Sequence, residues 1–219
     1  LGERIADQIF TEITETEPTV VLDLHNDWIQ SIPYTLIDKD SSSYPEEMGQ
    51  KIRFFAMESG FLAIQDTEEL SKTLSHNLIV QGIPALTLEL GESYVVNEAN
   101  IDCGVKSIWN ILSTLEMVEP AERDFRFPLP EHYRGQVLRY SDRPLSSTSG
   151  IIRYLAKPGD FVVQGQPIAK TYNAFGKRQE ILYALDNGIV LGHADSSMVF
   201  PGMRVMAFGL CGQDLCQAQ

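Results

Sequence analysis

The chain has 219 residues, of which 43% are hydrophobic and 21% are charged, with a net charge of −13. This composition is ordinary for a globular protein with a substantial core, and the acidic balance argues against a nucleic-acid partner, because phosphate binding needs a basic surface. No apolar run in the sequence approaches the roughly 20 residues of a membrane span, so no membrane partner is predicted. Three widely spread cysteines (Cys103, Cys211 and Cys216) fit a reducing cytoplasm better than a disulfide framework.

The first half of the chain alternates between helical and strand patterns. Apolar residues recur at helical spacing over Glu3–Ile13, and Thr19–Leu24 has the composition of a buried strand. Helical spacing returns over Tyr44–Gly60, and Pro84–Leu90 is a second apolar strand. Alternation of this kind predicts an α/β fold with a mostly parallel sheet and flanking helices.

Two further helices are predicted around the second strand. Asp66-Thr67-Glu68-Glu69 has the form of a capping box, with Asp66 as the N-cap of a helix that Gly82 ends. After the strand, a helix is predicted over Asn100–Val118 from apolar residues at helical spacing: Ile101, Val105, Ile108, Leu112 and Leu115.

The second half has a different organisation. A proline-rich segment, Glu119–Ser149, predicts a linker that contains one strand near Gln136–Tyr140. Short β-rich runs separated by glycines follow. We therefore predict an α/β domain over residues 1–120, a linker over 121–148 and a small all-β domain over 149–219.

The predicted all-β domain contains an internal repeat. Ser149–Val162 and Asn187–Val205 each have Gly-Ile and an aliphatic residue near the start, and each later has Pro-Gly, any two residues and Val. Two copies of one unit resemble the barrel-sandwich of biotinyl and lipoyl domains. Those domains carry their cofactor on a lysine in a tight hairpin, whereas Lys177 lacks flanking methionines and a two-residue turn, so a carrier role is the less favoured interpretation.

Polar residues end both predicted strands of the first half. Asp23 and His25 close the first strand, and Glu89 interrupts the apolar run of the second. If these strands are parallel neighbours, His25 and Glu89 arrive at the same edge of the sheet. Asp23 could orient the imidazole or solvate the edge; Glu89 could be a general base or a strand end that reaches the surface.

These residues alone do not make a zinc site. A catalytic zinc needs three protein ligands and an open position. The other histidines, His76, His132 and His193, have no partner at metal-binding spacing, so each is predicted to be a surface or structural residue.

The order of the motifs resembles one known family. GERIAD, VVLDLHN, GIPALTLELGE, the helix after it and the Gly-Ile/Pro-Gly-Asp β-region follow the succinylglutamate desuccinylase/aspartoacylase family, which is related to the zinc carboxypeptidases. The resemblance implies Zn²⁺ as cofactor, His25 as a zinc ligand and Glu89 as the general base. It also implies hydrolysis of a small N-acyl amino acid or related amide. A homo-oligomer is compatible with this interpretation.

Two family motifs are absent from the sequence. The early His-x-x-Glu zinc motif and the Asn-Arg pair that binds the substrate carboxylate have no counterpart here. Arg53 is a candidate replacement for that arginine, although a solvated helix face is its favoured place. We therefore expect a longer natural protein, and we expect these 219 residues alone to bind zinc weakly and to be inactive. A non-catalytic family member and a biotinyl/lipoyl-like carrier or binding protein are the alternatives.

Overall fold

The structure is a computed structural model that describes residues 2–39, 43–67, 72–130, 133–194 and 196–211. Its helices are α1 (Gly2–Glu15), α2 (Glu46–Glu58), α3 (Leu74–Val80) and α4 (Glu98–Thr114). Its strands are β1 (Val21–His25), β2 (Gln30–Ser31), β3 (Tyr34–Ile37), β4 (Ala63–Gln65), β5 (Ala85–Glu89), β6 (Val137–Ser141), β7 (Gly150–Tyr154), β8 (Phe161–Val162), β9 (Pro167–Tyr172), β10 (Arg178–Tyr183), β11 (Gly188–His193), β12 (Met198–Val199) and β13 (Met206–Leu210).

The main sheet has nine strands, and most lie in the order β1-β5-β3-β4-β6-β13-β11-β2, with β8 paired to β11. β1 and β5 are parallel, as predicted, but β3 runs antiparallel to β5, and β6, β13 and β11 are joined by antiparallel pairs. The prediction of a mostly parallel sheet is therefore wrong: the sheet is mixed. The chain turns back after β1 through a short connection, so β3 enters the sheet in the reverse direction.

The short strands β2, β3 and β4 were not predicted from the sequence. Each has two to four residues, too few for an alternating pattern to be recognised. They are specified by their neighbours instead, since β3 is hydrogen-bonded on both sides, to β5 and to β4. Tyr34, at the start of β3, is fully buried and lies opposite Glu89.

The predicted helices are present, with one difference in position. α1, α2 and α4 each begin within two residues of the predicted start, and their last residues differ from the predicted ones by a few positions. α3 begins at Leu74 with Thr73 as its N-cap, whose hydroxyl accepts a hydrogen bond from the backbone N–H of His76. The prediction of Asp66 as N-cap is therefore wrong, and Glu69 lies outside the described residues.

The second sheet has four strands in the order β10-β9-β7-β12. The internal repeat is visible in the strand pairing. β7, the first strand of the first repeat, pairs with β12, the last strand of the second. β11, the first strand of the second repeat, pairs with β8, the last strand of the first. Ile152 and Ile168 of this sheet share a core cluster with Val190 and Phe208 of the main sheet. Closure into a barrel-sandwich is not confirmed, and the domain boundaries at residues 120 and 149 stay predictions.

The main sheet continues across the predicted linker. β6 lies within that linker and pairs with β4 on one side and with β13 on the other. Strands from both halves of the chain therefore form one hydrogen-bonded surface. This continuity places residues of the C-terminal half beside those of the N-terminal half.

The cysteines differ from the sequence interpretation. Cys103 is a free thiol, whereas Cys211 is disulfide-bonded; Cys216 lies outside the described residues. The bond of Cys211 departs from the expectation that the cysteines form no disulfide, while the cytoplasmic location stays a prediction. Among the described residues, no helix combines the length and apolar character that crossing a membrane requires.

Candidate active site

The pairing of β1 with β5 brings the two predicted residues together. His25 and Glu89 are register partners at the ends of these parallel strands, so both side chains project from the same face of the sheet. Nδ1 of His25 lies 3.9 Å from Oε1 of Glu89. The predicted convergence of the strand ends is therefore confirmed, while the roles of the two residues stay predictions.

Asp23 completes a small group around the imidazole. It lies two residues before His25 on the same face of β1, and its Oδ2 is 3.1 Å from Nε2 of His25. The imidazole thus lies between two carboxylates, one near each ring nitrogen. Its side chain is 52% exposed, which leaves it accessible to a ligand.

Glu89 is in a different environment from His25, although they are neighbours. Glu89 is only 6% exposed, and its Oε2 is buried without a hydrogen-bond partner among the described residues. Burial, followed by the negative charges of Asp27 and Asp23, raises the pKa of Glu89 to about 8. A buried carboxyl oxygen without a partner, in a residue that lines a cleft, is a candidate for a functional position.

Asp27 and Tyr34 form the inner wall beside Glu89. The hydroxyl of Tyr34 donates a hydrogen bond to Oδ2 of Asp27. Burial raises the pKa of Asp27, although the hydrogen bond from Tyr34 and the charge of His25 oppose this effect. Neither residue was predicted from the sequence; Asp27 follows His25 by two residues, but nothing in the sequence linked it to Tyr34.

A cleft of about 410 Å³ opens over this group. Asp27, Tyr34 and Glu89 line one part of it, and Tyr140 of β6 lies farther along. Its remaining charged lining residues are Asp66, Arg139, Asp142, Arg143 and Arg204. The volume falls within the usual range for small-molecule sites. The cleft is therefore acidic at the β1–β5 end and contains three arginines elsewhere.

The described residues do not complete a zinc site. Among them, no group of three His, Cys, Asp or Glu side chains has the arrangement to hold a metal ion. His25 fits as one ligand, since its imidazole is accessible and Asp23 can orient it. A catalytic zinc needs two more protein ligands than His25 supplies.

The other predicted histidines that the structure describes are structural. His76 is buried, and its Nδ1 lies 2.8 Å from Oδ2 of Asp38. His193 is buried and stacks on Tyr154 with ring centroids 4.0 Å apart. His132 lies outside the described residues.

Two further residues considered in the sequence lie away from this group. Arg53 is on α2 and is not a lining residue of the cleft. Lys177 follows the exposed turn between β9 and β10, where the side chain of Asn173 accepts hydrogen bonds from the backbone N–H groups of Phe175 and Lys177. That turn is longer than the two-residue hairpin of a carrier domain.

Comparison with protein-family models found no match, and comparison with curated proteins found none either. Solved structures do match the fold. A succinylglutamate desuccinylase/aspartoacylase from Rhodobacter sphaeroides matches with a TM-score of 0.70 and 17% identity, over 90% of this chain and 59% of that chain. An aspartoacylase family protein from Mesorhizobium loti has a TM-score of 0.70 and 20% identity, over 96% of this chain and 69% of its own.

A third structure is the apo form of the ectoine utilization protein EutE (DoeB) from Ruegeria pomeroyi. It has a TM-score of 0.73 and 15% identity, over 95% of this chain and 65% of its own. The chain thus spans 59% and 65% of the lengths of the R. sphaeroides and R. pomeroyi chains. The resemblance predicted from the sequence is confirmed as a likeness of fold to proteins of the succinylglutamate desuccinylase/aspartoacylase family.

Proposed function

We propose that the protein is a member of the succinylglutamate desuccinylase/aspartoacylase family and hydrolyses the amide bond of a small N-acyl amino acid. One observation carries the proposal: His25 and Glu89 are register partners, and Glu89, whose Oε2 has no hydrogen-bond partner among the described residues, lines a cleft. The fold of the structural neighbours supports the same class of reaction.

In this proposal His25 is one ligand of a zinc ion. The zinc of such hydrolases polarises the acyl carbonyl and acidifies a bound water. Asp23 holds the imidazole through its contact with Nε2, which leaves Nδ1, the nitrogen nearer to Glu89, as the proposed zinc ligand atom. The zinc enters the proposal only through His25, because the described residues supply no complete set of ligands.

Glu89 is the proposed general base. Its unpartnered Oε2 is free to accept a proton from the attacking water and to pass that proton to the leaving amine. With a pKa of about 8, Glu89 is mostly protonated at neutral pH in the metal-free chain. It therefore becomes a base only when positive charge nearby favours the carboxylate. Tyr34 supports this arrangement by holding Asp27, the largest source of negative charge acting on Glu89.

A hydrolysis assay tests the proposal. The 219-residue chain and the product of the gene with any codons upstream of Leu1 are assayed with zinc on N-acetyl and N-succinyl amino acids. We expect the 219-residue chain to be inactive, because its described residues form no zinc site, and a gene product that adds further zinc ligands to release the amino acid. In the active protein, Glu89→Gln lowers kcat about 10²–10⁴-fold, as expected for loss of a general base.

Glu122→Gln, in an exposed loop, is the matched control and keeps full activity. Activity that survives Glu89→Gln would show that Glu89 is not the base. No hydrolysis by either protein, with any of these substrates, would favour the alternatives of a non-catalytic family member or a carrier protein. An intact-mass increase equal to biotin or lipoate would then identify the carrier.

The proposal extends to location and assembly. A cytoplasmic location was predicted from composition, and the disulfide bond of Cys211 counts against it. Cell fractionation tests whether the protein is cytoplasmic. A homo-oligomer, with no nucleic-acid or membrane partner, stays a prediction from the sequence.

A further inference from the structure

We infer that a second cavity, separate from the cleft of Glu89, binds a small aromatic molecule that carries one negative charge. The cavity has a volume of about 310 Å³ and shares no lining residue with the cleft. None of its lining residues takes part in the proposed hydrolysis. We call it the aromatic pocket, after its apolar lining, which includes Phe61, Leu62, Ala63, Phe127, Leu129 and Tyr133.

The aromatic rings of this pocket are fixed by other rings. Phe61 is buried and contacts Phe125 and Phe127 edge to face, with ring centroids 5.6 and 6.3 Å apart. Tyr133 is also buried, and its ring stacks on Phe161 with centroids 4.8 Å apart. Side chains that are already ordered lose little freedom when a ligand packs on them. The pocket is therefore prepared for a planar, apolar group.

The floor of the aromatic pocket belongs to the main sheet. Leu62 precedes β4 and Ala63 begins it, and both are almost fully buried. The backbone N–H of Thr35, in β3, donates a hydrogen bond to the carbonyl of Leu62. The loop that carries Phe127 is attached to the same region, because the backbone N–H of Phe127 donates to the carbonyl of Gly60. Backbone hydrogen bonds thus hold the cavity open before any ligand binds.

The charged lining residues favour an anion. Arg126 is exposed, and one terminal nitrogen of its guanidinium group donates to the carbonyl of Met57, 2.9 Å away. Within the described part of the chain, Arg126 has no acidic partner. Its remaining N–H donors can therefore bind a carboxylate.

The balance of charge in the pocket limits the ligand to a monoanion. Arg126 and Arg134 line it together with Glu58, which leaves one net positive charge. Glu58 accepts a hydrogen bond from the hydroxyl of Thr114 on α4, at 3.4 Å. The whole protein, in contrast, has a net charge of −13. A local excess of positive charge in an acidic protein indicates an anionic ligand.

The size and chemistry of the pocket together define the ligand class. Its volume is at the lower end of the range for small-molecule sites. Its mostly apolar walls suit a ring better than a sugar or a phosphate group, and Arg126 suits a single carboxylate. The class is therefore an aromatic acid with one ring and a short acidic arm.

Ligand titrations followed by NMR test this site on the 219-residue chain. The probes are phenylacetate, phenylacetamide, which has the same ring and nearly the same size without the charge, and acetate, which lacks the ring. We expect phenylacetate to bind about ten-fold more tightly than phenylacetamide, the effect of a charged hydrogen-bonded pair. Acetate should give no saturable shift. Arg126→Gln should remove the preference for the acid and leave binding of phenylacetamide unchanged.

Two further variants separate the site from general effects. Leu129→Trp places a larger side chain in the lining and should abolish binding of both aromatic probes, while the rest of the spectrum shows that the chain is folded. Arg123→Gln is the matched control, because Arg123 is exposed in the same segment as Arg126 and does not line the pocket. It should bind all three probes as the unaltered chain does.

Three results would overturn the inference. The first is equal binding of phenylacetate and phenylacetamide to the unaltered chain. The second is a preference for the acid that survives Arg126→Gln. The third is a set of shifts centred on Tyr34 and Tyr140, which line the cleft of Glu89, instead of on Phe127 and Leu129.

Discussion

Two histidines of this protein lie beside an aspartate, and their surroundings are opposite. His25 is half exposed at the end of β1, between Asp23 and a glutamate whose second oxygen has no partner among the described residues. His76 is buried at the start of α3, where Asp38 binds its ring. A half-exposed histidine beside a buried carboxyl oxygen that has no partner among the described residues is a candidate for a site. A buried histidine in a hydrogen-bonded pair with a carboxylate indicates a structural contact.

Their acidic neighbours show the same difference. Asp38 is hydrogen-bonded to the ring of His76 and accepts a hydrogen bond from the hydroxyl of Ser75. Burial nevertheless raises the pKa of Asp38. Burial raises the pKa of Glu89 too, and nearby negative charges raise it further. Within the described part of the chain, no partner of Glu89 lowers this pKa. The region around Asp38 therefore stabilises the fold, whereas the region around Glu89 destabilises the metal-free fold whenever the carboxylate is ionised.

The largest predicted effect concerns Glu89 and pH. Its folded-state pKa of about 8 lies above the ordinary value of 4.5, so the folded chain binds a proton that the unfolded chain releases between these pH values. Stability is therefore lost as pH rises through that window, by roughly 3–4 kcal/mol between pH 5 and pH 8. We expect Glu89→Gln to remove this loss, as measured by urea unfolding of the 219-residue chain with a chelator at both pH values.

The control for this measurement is Glu122→Gln, which removes an exposed carboxylate from a loop. It should reproduce the pH dependence of the unaltered chain. If Glu89→Gln also reproduces it, Glu89 is solvated in the folded protein and the contrast with Asp38 disappears.

The second effect compares the two histidines directly. His76→Ala leaves Asp38 buried without its ring partner, and we expect a loss of about 3 kcal/mol in the free energy of unfolding at pH 7. His25→Ala removes a half-exposed side chain and should change stability by no more than about 0.5 kcal/mol. Both values come from urea unfolding, and equal losses would contradict the division into a structural and a functional histidine.

The essential part of the site is predictable from the sequence because strand pairing is periodic. Parallel neighbouring strands end at the same edge of a sheet, so the sequence was enough to predict that His25 and Glu89 reach one edge; their exact pairing comes from the register of β1 and β5. The short strand β3 could not be predicted in the same way, since Tyr34 enters the site through its pairing with β5. The proximity of two arginines that line the cleft could not be predicted for a similar reason: Arg143 and Arg204 are 61 residues apart in the sequence and meet through their contacts with Asp142.

The smallest effect tests whether the region of His76 is structural throughout. The hydroxyl of Thr73 accepts a hydrogen bond from the backbone N–H of His76. Thr73→Ala should therefore lower the free energy of unfolding by about 1 kcal/mol, the usual contribution of an N-cap. Thr73→Ser keeps the oxygen atom and should restore most of that loss in urea unfolding. Neither change should alter binding of N-acetyl-L-alanine, because Thr73 does not line the cleft of Glu89. Weaker binding in Thr73→Ala at unchanged stability would mean that α3 positions the cleft, and the two histidine regions would then act together.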